Sequence, residues 1–132
     1  MTDTGRVTLD LLPGSYAICR LPADAAAPAW AGGGAFSSVT RTASELSIVC
    51  ASGSVPAGVK AQREYRGLAV RGPLDFSLVG IVAQLSATLA AASISIFVVS
   101  THDTDYLFVS EENLARAIVA LRGAGQIVVT GA

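Results

Sequence analysis

The chain has 132 residues, 52% of them hydrophobic and 14% charged, and carries a net charge of −1. That apolar content excludes a disordered tail, which has too little surface to bury against the entropy cost of ordering. The balance of charge gives no footprint for nucleic acid: Lys60 is the single lysine, and Arg63, Arg66 and Arg71 are too few to neutralise a run of phosphates.

The length suits one compact domain or two half-size units sharing a core. The first residues, Met1 to Arg6, lack the apolar stretch of a signal peptide, so a cytoplasmic protein is expected. Val7–Leu11 and Tyr16–Leu21 read as strands around the turn Pro13-Gly14. A short helix is predicted at about Ala25–Ala31, limited by Pro28 and followed by Gly32-Gly33-Gly34. Phe36–Thr40 and Leu46–Cys50 read as a hairpin, Gly53–Gly58 as a loop and Val59–Tyr65 as a further strand. Cys19 and Cys50 sit in apolar runs without CxxC spacing or a His neighbour. They read as small buried hydrophobes, and spacing alone leaves a disulfide between them open.

The second half is sharper. Gly67–Arg71 is a strand, and a helix follows over about Ser77–Ala92, with Leu78, Ile81, Val82, Leu85 and Leu89 at helical spacing and Asp75 or Ser77 as cap. No charge occurs from Phe76 to His102, a stretch long enough to suggest a membrane span. Its interspersed Ser, Thr and Gln, the β-branched run Ile94–Val99 and the lack of basic flanks favour a helix followed by a buried strand, and no membrane association. The strand Ile94–Ser100, the turn Thr101–Thr104 and the strand Tyr106–Val109 form a hairpin. Ser110 is a candidate N-cap for a helix with Glu111 and Glu112 in its first turn, a Glu112–Arg116 pair and Gly123 at its end; the strand Gln126–Val129 closes the order β-α-β-β-α-β.

The residues 74–82 (LDFSLVGIV), the helix after them, 93–96 (SISI) and 100–106 (STHDTDY) resemble the ACT domain. The resemblance is to the type found in CASTOR arginine sensors and in small bacterial tandem-ACT proteins. It covers roughly residues 66–129, and His102 stands where that pattern has an aromatic residue. It implies an α+β, ferredoxin-like fold in two tandem units: a degenerate N-terminal ACT-like unit over 1–65 and an ACT domain over 66–132. It also implies regulation by a bound amino acid, and pairing of ACT units as a homodimer or within the chain. In the CASTOR-type pattern the Asp matching Asp105 contacts the ligand.

Independently of family, a helix start without acids in its first turn offers its N–H groups and dipole to an anion. Here that end comprises Ser77, Leu78, Val79, Gly80 and Ile81, and the ferredoxin-like topology brings Thr101, His102 and Asp105 beside it. Asp105 could receive an ammonium group, with Thr101 and His102 as cover. The plain alternatives are that Asp75, Ser77 and Asp103 serve caps and turns, that Asp105 bonds nearby backbone, and that Trp30 and Tyr65 are packing anchors. His102 is the sole histidine, so a metal centre or His-based catalysis would lack partners, and no phosphate loop or nucleophile–base pair is visible. The sequence therefore points to a small-ligand regulatory module without catalysis, cofactor or metal. The competing expectation is a structural or protein-interaction ACT-like protein with an empty site.

Overall fold

The computed structural model describes residues 6–74 and 79–131. They form two compact units, one of residues 13–65 and one of residues 6–12 with 66–131. The sequence reading divided the chain at residue 65, whereas the structure gives the first strand to the C-terminal unit. The reason is its register: β1 (Thr8–Leu11) pairs antiparallel with the second half of β5 and parallel with β8 (Ile127–Val129), and Leu9 is fully buried in that unit's core.

In the unit of residues 13–65, β2 (Tyr16–Leu21), β3 (Ser38–Arg41), β4 (Leu46–Ala51) and the first half of β5 (Ala61–Val70) stand in the order β3-β4-β2-β5, every pairing antiparallel. This is the spatial order of a ferredoxin-like sheet. Its helices are reduced to two 3-10 turns, Ala29–Ala31 and Ser52–Ser54. Pro28 stands at the start of the first turn and removes a donor there, so the helix expected at Ala25–Ala31 never gains a second turn. Ala17, Cys19, Leu46, Ile48 and Cys50 line the core face, with Trp30 packed against it.

The other unit has the strand order β8-β1-β5-β7-β6, with β6 spanning Phe97–Ser100 and β7 spanning Asp105–Ser110. The helices α1 (Ile81–Ala91) and α2 (Leu114–Gly123) cover one face. Ile81, Leu85 and Leu89 of α1 and Ala117 and Leu121 of α2 meet Leu68, Val70, Leu107, Val109 and Val128 in a single apolar core. Burying an aliphatic side chain fully contributes about 1.5–3 kcal/mol, so these residues outweigh any polar contact in the unit. β5, α1, β6, β7, α2 and β8 follow one another in the β-α-β-β-α-β order, and the fold is the ferredoxin-like one of ACT domains. Among the described residues no helix is long and apolar enough to cross a membrane.

Local details depart from the sequence reading. The two strands expected at Val59–Tyr65 and Gly67–Arg71 are one ten-residue strand. Gly67 is a packing glycine rather than a break: a Cβ there would lie 2.9 Å from both Leu12 Cδ1 and Phe108 Cε1. The irregularity falls instead at Glu64, with φ 62°, where the pairing with β2 shifts register. β6 begins at Phe97 rather than Ile94, because Ser93 and Ile94 are used to end α1. The α2 segment opens on a 3-10 turn, Glu111–Asn113, so Ser110 does not cap an α-helix and its hydroxyl makes no capping bond. Arg116 turns away from Glu112 to the Ala92 carbonyl (2.8 Å) and Asn113 Oδ1 (3.1 Å).

Candidate functional site

The expected helix start at Ser77 is corrected: α1 begins at Ile81, and its N-cap is Gly80, with φ 86° and ψ −3°. A left-handed residue cannot continue a right-handed helix towards the N-terminus, and glycine takes that conformation without steric cost. The orphan N–H groups therefore belong to Ile81, Val82 and Ala83, since the first backbone bond of the helix runs from the Gln84 N–H to the Gly80 carbonyl at 2.9 Å. The first turn carries no acid, and among the described residues no side chain caps it. Asp75, Ser77 and Leu78 lie outside the described residues.

This helix end opens into a cleft of about 290 Å³ whose opposite wall is the β6–β7 connection. Of the residues expected at the site, Gly80, Ile81, Thr101, His102 and Asp105 line the cleft together. Val79 is not among the lining residues and is 89% exposed. Leu74, Val82, Ala83, Ser100, Asp103 and Thr104 also line it, and sequence reasoning passed over them as site residues. Val82 and Ala83 were hidden by the misplaced helix start. Ser100 was legible in principle, because it stands directly opposite Asp105 in the hairpin.

The connection is tightly built. The Thr101 N–H donates to the Thr104 carbonyl (2.8 Å), and the Thr101 hydroxyl donates to the same oxygen (3.1 Å), closing a four-residue turn. Thr101 thus spends its hydroxyl on the turn. His102 Nδ1 lies 2.9 Å from Asp103 Oδ1, and its side chain is 85% exposed. The turn is fastened to the β5–α1 connection from two sides: the Thr104 hydroxyl donates to the Val70 carbonyl (2.5 Å), and the Leu74 N–H donates to the Asp103 carbonyl (2.7 Å). The end of β5 and the turn that carries the acidic wall are therefore fastened together.

Charge in the cleft is acidic on one wall and dipolar on the other. Asp105 Oδ1 accepts a hydrogen bond from the Ser100 hydroxyl at 2.5 Å. Arg71, the residue after β5, is held by Asp10 in a two-point pair, Nε to Oδ2 at 2.9 Å and Nη2 to Oδ1 at 2.5 Å. The guanidinium keeps the Asp10 carboxyl below the usual range, mainly through the hydrogen bond. Among the described residues no group of three His, Cys, Asp or Glu side chains could hold a metal ion.

Comparison with known proteins agrees with this architecture. The ACT domain family matches residues 60–123, and a second family, described as an N-terminal domain, matches residues 14–58. Protein Atu0741 from Agobacterium tumefaciens is 41% identical, with a TM-score of 0.91 over 96% of this chain and 95% of its own. Protein VC0802 from Vibrio cholerae, described as a possible transport protein, is 21% identical with a TM-score of 0.71, over 91% of each chain. The regulatory subunit of aspartate kinase from Thermus thermophilus shares the fold at 12% identity and a TM-score of 0.58, over 85% of this chain and 93% of its own. The chain belongs to the same family as Atu0741, and its residues 60–123 match the ACT domain family.

Proposed function

We propose that this chain is a regulatory module without catalysis, of the CASTOR type, whose cleft takes a free α-amino acid. The carrying observation is the pairing, within one cleft, of a helix N-terminus that no described side chain caps with the carboxylate of Asp105. A zwitterion needs both: N–H donors and a positive dipole for its carboxylate, and an anionic acceptor for its ammonium group. The carboxylate sits on the N–H groups of Ile81, Val82 and Ala83, one turn later than the sequence placed it. The ammonium, or a basic side chain, lies at Asp105. A volume of about 290 Å³ stands at the lower end of small-molecule sites, about 300–1,000 Å³, and fits one amino acid better than a nucleotide. That a regulatory subunit of aspartate kinase has this fold supports the regulatory part of the reading. Pairing as a homodimer fits the edge strand β8, whose Ile127 and Val129 are 46% and 38% exposed.

The test is a thermal-shift screen of the twenty L-amino acids. A ligand at 100 times its Kd adds about 2.7 kcal/mol of stability, a shift of several degrees in a domain of this size. A flat response to all twenty would reject the amino-acid reading in favour of a structural or protein-interaction role with an empty site.

A further inference from the structure

We propose that Ser100 is a positioning residue of this cleft, holding the Asp105 carboxylate ready for a cation without neutralising it. The inference rests on the amino-acid reading above. Ser100 and Asp105 are direct partners in the β6–β7 register, the last pair before the turn, so their side chains leave the same face of the hairpin. Both line the cleft, and the Ser100 hydroxyl donates to Asp105 Oδ1 at 2.5 Å. The backbone beneath them is fixed by the Thr101–Thr104 turn bond, so this hydrogen bond sets the carboxylate's own torsions rather than the path of the chain.

A second aspartate in the same unit shows what the choice of partner does. Asp10 is engaged at both oxygens by the Arg71 guanidinium, and its charge is spent. Asp105 is oriented by an uncharged hydroxyl, and among the described residues no cation pairs with it. Its full negative charge, and the acceptor capacity beyond the Ser100 bond, remain for a ligand. Without the hydroxyl the carboxylate must be ordered at the moment of binding, and that lost freedom is charged to affinity.

The experiment compares wild type, Ser100→Ala and Ser100→Thr, each titrated with the twenty L-amino acids by thermal shift, with any responding amino acid then measured by calorimetry. Ser100→Ala should bind the same amino acid about fivefold more weakly. Ser100→Thr, which keeps the hydroxyl, should restore the affinity, and neither change should move the melting temperature of the free protein. Equal affinity of wild type and Ser100→Ala would overturn the inference while leaving the amino-acid reading intact. So would an equal loss in Ala and Thr variants, or a drop in free-protein melting temperature with affinity unchanged. A wild type that responds to no amino acid would overturn both together.

Discussion

The side-chain oxygen of Gln126 accepts a hydrogen bond from the Val7 backbone N–H at 2.7 Å, joining residues 119 positions apart. Gln126 is only 4% exposed, and the next residue completes the clamp, the Ile127 N–H donating to the Val7 carbonyl at 3.0 Å. Replacing Gln126 by Leu keeps the bulk but leaves the Val7 donor without its partner. The expected cost is about 1–3 kcal/mol, read as a lower urea midpoint with an unchanged slope. An unshifted midpoint would show that water satisfies this donor equally well.

Asp105→Asn keeps the shape of the side chain and removes its charge. Binding of an amino acid should weaken by about 1.5–3 kcal/mol, the range of a hydrogen bond to a charged group. Calorimetric titration of both proteins against whichever amino acid stabilises the wild type decides it. The same affinity in both would remove Asp105 from the site.

Both helices end on the same device. In α2 the Gly125 N–H donates to the Arg122 carbonyl and the Gln126 N–H to Leu121, each at 3.0 Å; in α1 Ser93 donates to Ala90 and Ile94 to Leu89, each at 2.9 Å. The pivot is left-handed in each case, Gly125 at φ 97° and Ser93 at φ 62°. No atom lies within 4 Å of a Cβ built on Gly125, so Gly125→Ala should cost only the left-handed penalty, about 1–2 kcal/mol. Ser93→Gly should move stability the other way, by up to about 1 kcal/mol. Thermal melts of the two variants should shift in opposite directions, and a shared direction would reject the common mechanism.

Cys19 and Cys50 are free and buried, 2% and 1% exposed. Burial pushes the Cys19 thiol up to about 11 from the ordinary 9.0, and raises Cys50 as well. Between those two values of pH the unfolded chain sheds a proton that the folded Cys19 keeps, so stability falls as pH rises from 9.0 to about 11 and is unaffected by this group below that window. Denaturant titrations across that range should show the decline, and it should shrink in Cys19→Ala. At neutral pH a disulfide reagent should label both thiols only as fast as the protein opens.

The helices and the hairpin were legible because their signals are local. Leu85, Leu89, Ala117 and Leu121 recur at helical spacing and all point into the core, and the turn Thr101–Thr104 lies where its polar run predicted. What stayed hidden was decided by distant partners or by single backbone angles. Nothing near Thr8–Leu11 in sequence says that it will pair with β5 and β8 instead of β2. Gly67 looks like a strand break until Leu12 and Phe108 are seen closing on it. The start of α1 was misread because apolar periodicity runs through Leu78, while the left-handed Gly80 sets the first turn at Ile81. With the helix start at Ile81 the orphan N–H groups are those of Ile81–Ala83, and Ser100 enters the cleft through the hairpin register that sets it opposite Asp105.

The pairing of β1 with β8 has a kinetic meaning. β1 leaves the ribosome well before β8 and must wait beside β5 for it, because Thr8, Leu9 and Asp10 find their parallel partners in Ile127, Val128 and Val129. Contacts of such long sequence separation slow the search for the native state, since chain entropy must be lost before they reward it. Residues 13–65 have every pairing of their own sheet in hand long before that moment. Synthesis at about 5–20 residues per second therefore separates the two assemblies by several seconds, with Leu9 of β1 lacking its β8 neighbours in the interval.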